Sequence, residues 1–173
     1  NNATGRAAGA DLFKENKDYL EGADHADFTP DGDMTIQAWV SIESHRKGMV
    51  VYKSNGSGPP WYSYEIIIHD NLEAGSYRAQ FRWYSDVAVY TTYKNTSSTA
   101  MSTDTWYHLA GVHSGTDLKL YVDGNDSNVD TTAPTSGTIV DSTSWFEIGF
   151  GHLDPDPVDG IIDEVRLSSV ARS

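Results

Sequence analysis

The chain reads as an all-β protein, two antiparallel sheets packed face to face in a jelly-roll sandwich. Three observations carry that reading. Alternating segments rich in β-branched and aromatic residues, bounded by Gly, Asp, Asn and Pro, recur along the whole length. No window sustains the three-and-four spacing of an amphipathic helix. The 173 residues show no sustained shift of composition and suffice for one domain with a real core.

The elements follow in chain order. Residues 1–17, "NNATGRAAGADLFKENK", are small, polar and weakly patterned, and are expected as an extended arm or linker ahead of a domain covering 18–173. "TIQAWVSI" (35–42), "GMVVYKS" (48–54) and "YSYEIIIHD" (62–70) are strands by their β-branched and aromatic content. In "YRAQFRWY" (77–84), Tyr77, Ala79, Phe81 and Trp83 share one face, expected in the core, and leave Arg78, Gln80, Arg82 and Tyr84 on the other. "VAVYTTY" (87–93) follows. "WYHLAGVH" (106–113) and "LKLYVDG" (118–124) are antiparallel strands joined by "HSGTD". Leu118, Leu120 and Val122 alternate with Lys119, Tyr121 and Asp123, the period of a half-buried strand, and Asp123-Gly124 suits a tight turn needing positive backbone torsion. "SWFEIGF" (144–150) and "GIIDEVRLS" (160–168) complete the set.

Four blocks in this order, "YLEGADHADF", "MTIQAWV", "TWYHLAGVHSGTDLKLYVDGN" and "GIIDEVRLSSVARS", resemble the laminin-G-like jelly rolls of the concanavalin A-like lectin and glucanase superfamily. The resemblance covers residues 18–173 and implies two antiparallel sheets with the N- and C-terminal strands near each other. It does not imply one activity, because the superfamily holds lectins, glycan-binding appendages, adhesin domains, hydrolases and spacers. Relatives commonly run several residues past the equivalent of "VARS", so the chain is expected as one module of a larger adhesive or secreted protein, extracellular or at a cell surface.

Charge narrows the partners. Lys plus Arg number 12 against 25 Asp plus Glu, a formal net charge of -13, and this field repels nucleic acid and anionic membrane surfaces. The longest apolar runs fall far below the roughly 20 residues of a spanning helix, so no membrane insertion is expected. With no cysteine, there is no disulfide framework and no thiolate metal site. Asn-x-Ser/Thr sequons stand at Asn2, Asn55, Asn95 and Asn125, all in stretches read as loops or termini; they are either glycan acceptors or chance in a chain rich in Asn, Ser and Thr.

No catalytic set is found. Glycan hydrolysis requires two carboxyl groups at a fixed separation, and the Glu-x-Asp-x-x-Glu run of the glucanase branch is missing. Asp163 and Glu164 are strand neighbours and point to opposite faces. No two of the six histidines stand three or four residues apart, acids at that spacing from a histidine fall in stretches not read as helix, and no nucleophile elbow is present. The expectation is a protein that is not an enzyme.

One structural calcium is the cofactor expected, on Asp154, Asp156 and Asp159 of "HLDPDPVDG" together with Asp163, which resembles an acid that helps hold calcium in many relatives. A recognition patch is expected from Arg78, Gln80, Arg82 and Tyr84 with Tyr90 and Trp61, because sugar-binding sites set aromatic platforms beside groups that fix hydroxyls. The partner is then a glycan or an extracellular protein. The competing expectation is a structural subunit whose residues 1–17 join copies into an oligomer or surface filament by strand addition.

Overall fold

A computed structural model describes residues 2–3, 10–14, 18–30, 32–54, 62–71, 76–85, 91–126, 128–132, 139, 143, 145–151 and 156–172. The strands are β1 (Asn2–Ala3), β2 (Ala10–Phe13), β3 (Leu20–Gly22), β4 (Met34–Ile42), β5 (Gly48–Ser54), β6 (Tyr62–Asn71), β7 (Ser76–Ser85) and β8 (Thr91–Met101). They continue as β9 (Trp106–Ser114), β10 (Asp117–Val122), β11 (Asn125–Asp126), β12 (Asn128–Thr132), β13 (Phe146–Ile148) and β14 (Gly160–Ser168). A 3-10 turn, Ala26–Phe28, stands before β4.

These strands form two seven-stranded sheets. Sheet 1 runs β1-β2-β14-β4-β9-β10-β11 and sheet 2 runs β12-β8-β7-β6-β5-β13-β3, with every named pairing antiparallel. The sandwich read from the sequence is therefore the fold. Alternation builds its core: Met34, Ile36, Ala38, Val40 and Ile42 of β4 face Tyr64, Ile66, Phe81 and Trp83 of the opposite sheet within one apolar cluster. In β10 the inward set is Leu118, Leu120 and Val122, as the alternation requires.

Turn chemistry fixes the β9–β10–β11 meander. Asp123 and Gly124 have φ of 52° and 75°, both in the left-handed region that a tight hairpin turn after β10 demands. The Asp123 Oδ1 also accepts the His108 N–H at 2.8 Å, tying the turn back to β9.

The N-terminal segment contributes to sheet 1. β2 pairs with β14 through Phe13–Gly160, Leu12–Ile161 and Asp11–Ile162, and β1 folds back on β2. Phe13 is buried, and its ring fills the space a side chain on Gly149 would need; Gly149 has φ of 86°. Residues 10–13 of the expected arm are thus part of the sandwich. Strand β8 begins at Thr91 and runs to Met101, well past the predicted 87–93, and Asn95 stands within it, between Phe81 and Thr131 of the neighbouring strands, rather than in a loop. Asn2 and Asn125 likewise lie in short strands, and Asn55 is outside the described residues.

Candidate functional site

Residues directly opposite each other on paired strands share a face. Tyr64 opposite Trp83 and Ile66 opposite Phe81 turn into the core. The residues between them turn outward, so Glu65 of β6 meets Arg82 of β7, Ile67 meets Gln80, and Gln80 meets Thr96 of β8.

A continuous polar network results. Glu65 Oε1 accepts from Arg82 Nη1 at 2.8 Å and from the Tyr84 hydroxyl at 3.1 Å. Arg82 Nε donates to Gln80 Oε1, and Gln80 Nε2 donates to Thr96 Oγ1 at 2.8 Å. Glu65 is 1% exposed, whereas the Arg82 side chain keeps 21% of its surface. Burial, the largest influence on Arg82, acts to lower its pKa; the Glu65 carboxylate and Tyr84 hydroxyl outweigh it, and the net shift is upward. Burial likewise pushes the Tyr84 phenol upward, so it stays a neutral hydroxyl. Beside the network Met49, Tyr52 and Ile67 form a second apolar cluster on the same face of sheet 2, since Met49 pairs with Ile67 and Tyr52 with Glu65. Gln80 and Tyr84 are buried with Glu65, so within this network the Arg82 guanidinium, fixed in orientation by its partners, is the group that keeps access to solvent.

The other predicted ligand residues are placed differently. Arg78 Nη1 donates to the Ser97 carbonyl at 3.2 Å and also to that of Ser98, where the β7–β8 register shifts, so it braces an irregular stretch of backbone. Trp61 and Tyr90 lie outside the described residues.

Three of the four acids expected to hold calcium, Asp156, Asp159 and Asp163, lie among the described residues. Asp156 is ion-paired with Lys47 at 2.8 Å, and Asp159 lies 3.9 Å from the Lys14 ammonium. Asp163 stands on β14 opposite Trp39, and its Oδ1 accepts the Glu164 N–H at 2.8 Å. Asp154 is outside the described residues. Among the described residues no three His, Cys, Asp or Glu side chains form a group suited to a metal ion.

Sequence reasoning missed the outer face of sheet 1. Trp39 of β4 packs against His108 of β9, ring centroids 5.1 Å apart, in a row with Asp163. Burial lowers the His108 pKa, with Asp123 opposing it. The signal was present in "MTIQAWV", where Gln37 and Trp39 alternate with the core residues Ile36 and Ala38.

The concanavalin A-like lectin/glucanases superfamily is matched by the chain over residues 14–173. The chain belongs to this superfamily. Among solved structures it is similar to domain 4 of AbnA, a GH43 extracellular arabinanase from Geobacillus stearothermophilus, in complex with arabinotriose. That likeness has a TM-score of 0.68 and 17% identity over 99% of this chain and 76% of that one. It is also similar to a native heptameric SAP-like pentraxin from Limulus polyphemus (TM-score 0.67, 11% identity, 95% of this chain and 76% of that one). Domains LG4-5 of the mouse laminin alpha1 chain show TM-score 0.57 and 16% identity over 95% of this chain and 42% of that one. No curated protein matches the chain. At these identities the likenesses establish the shared jelly-roll fold.

Proposed function

We propose that this superfamily member is a non-catalytic, extracellular recognition module that binds a glycan through the outer face of sheet 2. The observation that carries the reading is the Glu65–Arg82–Gln80–Thr96 network on an outward sheet face. A buried ion pair is weak evidence of a stability role, because apolar residues of similar volume commonly serve as well or better. What it does provide is a guanidinium held in one orientation, which is what fixes sugar hydroxyls. The arabinotriose carried by the similar AbnA domain supports a carbohydrate as ligand. The absence of paired acids on one strand face in the sequence supports a binding rather than a hydrolytic role.

The test is a glycan-array screen followed by calorimetry with Arg82→Lys. Lysine keeps the charge opposite Glu65 but loses the planar fork. We expect binding weakened by about tenfold or more with the melting temperature nearly unchanged. A blank array at high protein concentration, or a Lys variant that binds as the parent does, would sink the reading.

A further inference from the structure

Strand β3 is an outer strand of sheet 2: it pairs with β13 on one side and, among the described residues, with no strand on the other. Next to it the two sheets part around a cavity of about 390 Å³. Phe13, Leu20, Ile148 and Ile162 give this cavity an apolar lining, with no Lys, Arg or His among its described lining residues. Asp11, Asp163 and Glu164 also border it; the last two, expected on opposite faces, meet at one cavity because the β14 register shifts between Asp163 and Arg166 with Glu164 at φ 52°. Glu164 holds Arg166, and Asp163 accepts the Glu164 N–H. Asp11 is held in the sheet by its backbone, and its carboxylate makes neither a hydrogen bond nor an ion pair with any described side chain.

Apolar exposure gathers at the same edge. Tyr19 is 39% exposed, Leu20 47% and Trp145 48%; the first two stand at β3, and Trp145 leads into β13. The segment Asp18 to Asp27 adds Asp18 and Glu21 and contains neither Lys nor Arg; its Asp24 is ion-paired with Lys53 and its Asp27 lies against His25. A short, charged edge strand is one means by which sheets avoid sticking to each other. That accounts for Glu21, but not for the exposed apolar side chains or for the acid-lined cavity.

We propose that this edge docks an extended apolar and basic segment of another protein chain, which adds to β3 as a further strand. Main-chain bonds to β3 supply the register. Alternate apolar side chains of the incoming strand lie over Leu20 and the cavity mouth, and the intervening positions face Glu21. Asp11 and Glu21 favour Lys or Arg in the partner and disfavour Asp or Glu. A second copy of this chain is the poorer occupant, because pairing β3 with itself brings identical acids together.

The experiment uses three fluorescein-labelled, end-capped heptapeptides: alternating Lys and Val, alternating Lys and Ser, and alternating Glu and Val. Fluorescence anisotropy is read with the intact chain, Leu20→Asn and Asp11→Asn; Leu20 is exposed enough for its variant to fold, and melting curves check both. We expect the Lys–Val peptide to bind with Kd of about 100 µM or tighter. The Lys–Ser peptide should bind about tenfold more weakly, the Glu–Val peptide not detectably, and each variant should weaken Lys–Val binding several-fold. Equal binding of Lys–Val and Lys–Ser, or indifference to Leu20→Asn, reduces the effect to diffuse attraction by an acidic surface and overturns the proposal. So does no binding at about 1 mM. Sedimentation that reveals a dimer dissociated by Leu20→Asn makes a second copy the occupant and overturns it too.

Discussion

Glu65 and His113 are the two buried polar residues whose environments make the sharpest demands. Glu65 accepts from both Arg82 and Tyr84 with almost no solvent access. Replacing it with Ala strands the guanidinium and should cost about 3 kcal/mol, toward the low side for a broken buried pair because Arg82 retains some water. The double change Glu65→Met with Arg82→Met should recover most of that loss in urea unfolding; a double variant as weak as the single would show that the pair itself contributes net stability. His113 is 3% exposed. Its ring stacks on Trp83 at 4.2 Å between centroids, and its Nδ1 lies 3.0 Å from the Gly32 carbonyl. Burial lowers its pKa from the ordinary 6.5, against the opposing pull of the Gly32 carbonyl and Asp33. The unfolded chain therefore binds more protons below 6.5 than the folded one, so stability is complete above that pH and declines as pH falls. His108, also shifted downward, acts in the same direction. Urea midpoints should hold from about pH 8 to pH 7 and drop by about pH 5, and His113→Gln should flatten that drop.

At the scale of the elements, legibility followed alternation. Strands with a strong apolar face, β4 through β7, β9, β10 and β14, begin and end within a residue or two of where the sequence places them. Strand β8 departs because "KNTSSTA" has no apolar alternation to reveal it; its existence depends on pairing with β7 and β12, which is tertiary information. Strands β2, β3 and β12 are only three to five residues long, too short to show an alternation. For the candidate site, the outward face of β7 was readable from its period-two pattern, but Glu65 was not, because it sits inside "YEIII" and becomes a partner of Arg82 only through cross-strand register. The packing of β2 offers a test at this scale. Gly149→Ala introduces a methyl into the Phe13 ring at a positive-φ position, and about 2 kcal/mol of destabilisation is expected. Amide hydrogen exchange at residues 10–13 should quicken more than at β4 or β9; uniform change across the sheets would show that β2 is not a separately docked strand.

For the molecule as a whole, the charge of -13 sets behaviour that no single contact determines. Self-repulsion opposes compaction and is screened by salt, so stability should rise between about 10 mM and about 200 mM sodium chloride. A fall over that range would mean that ion pairs such as Glu65–Arg82 and Lys53–Asp24 dominate the balance. No helix among the described residues is long and apolar enough to cross a membrane. The side-by-side, antiparallel placement of β2 and β14 has a mechanical consequence. Tension applied at residues 1 and 173 first frees the two-residue β1 and then meets the β2–β14 pair from the same end, so its bonds open one after another like a zip instead of resisting together in shear. Under stretching, the domain should yield first by peeling away its leading strand, at low force, while the remaining strands stay assembled.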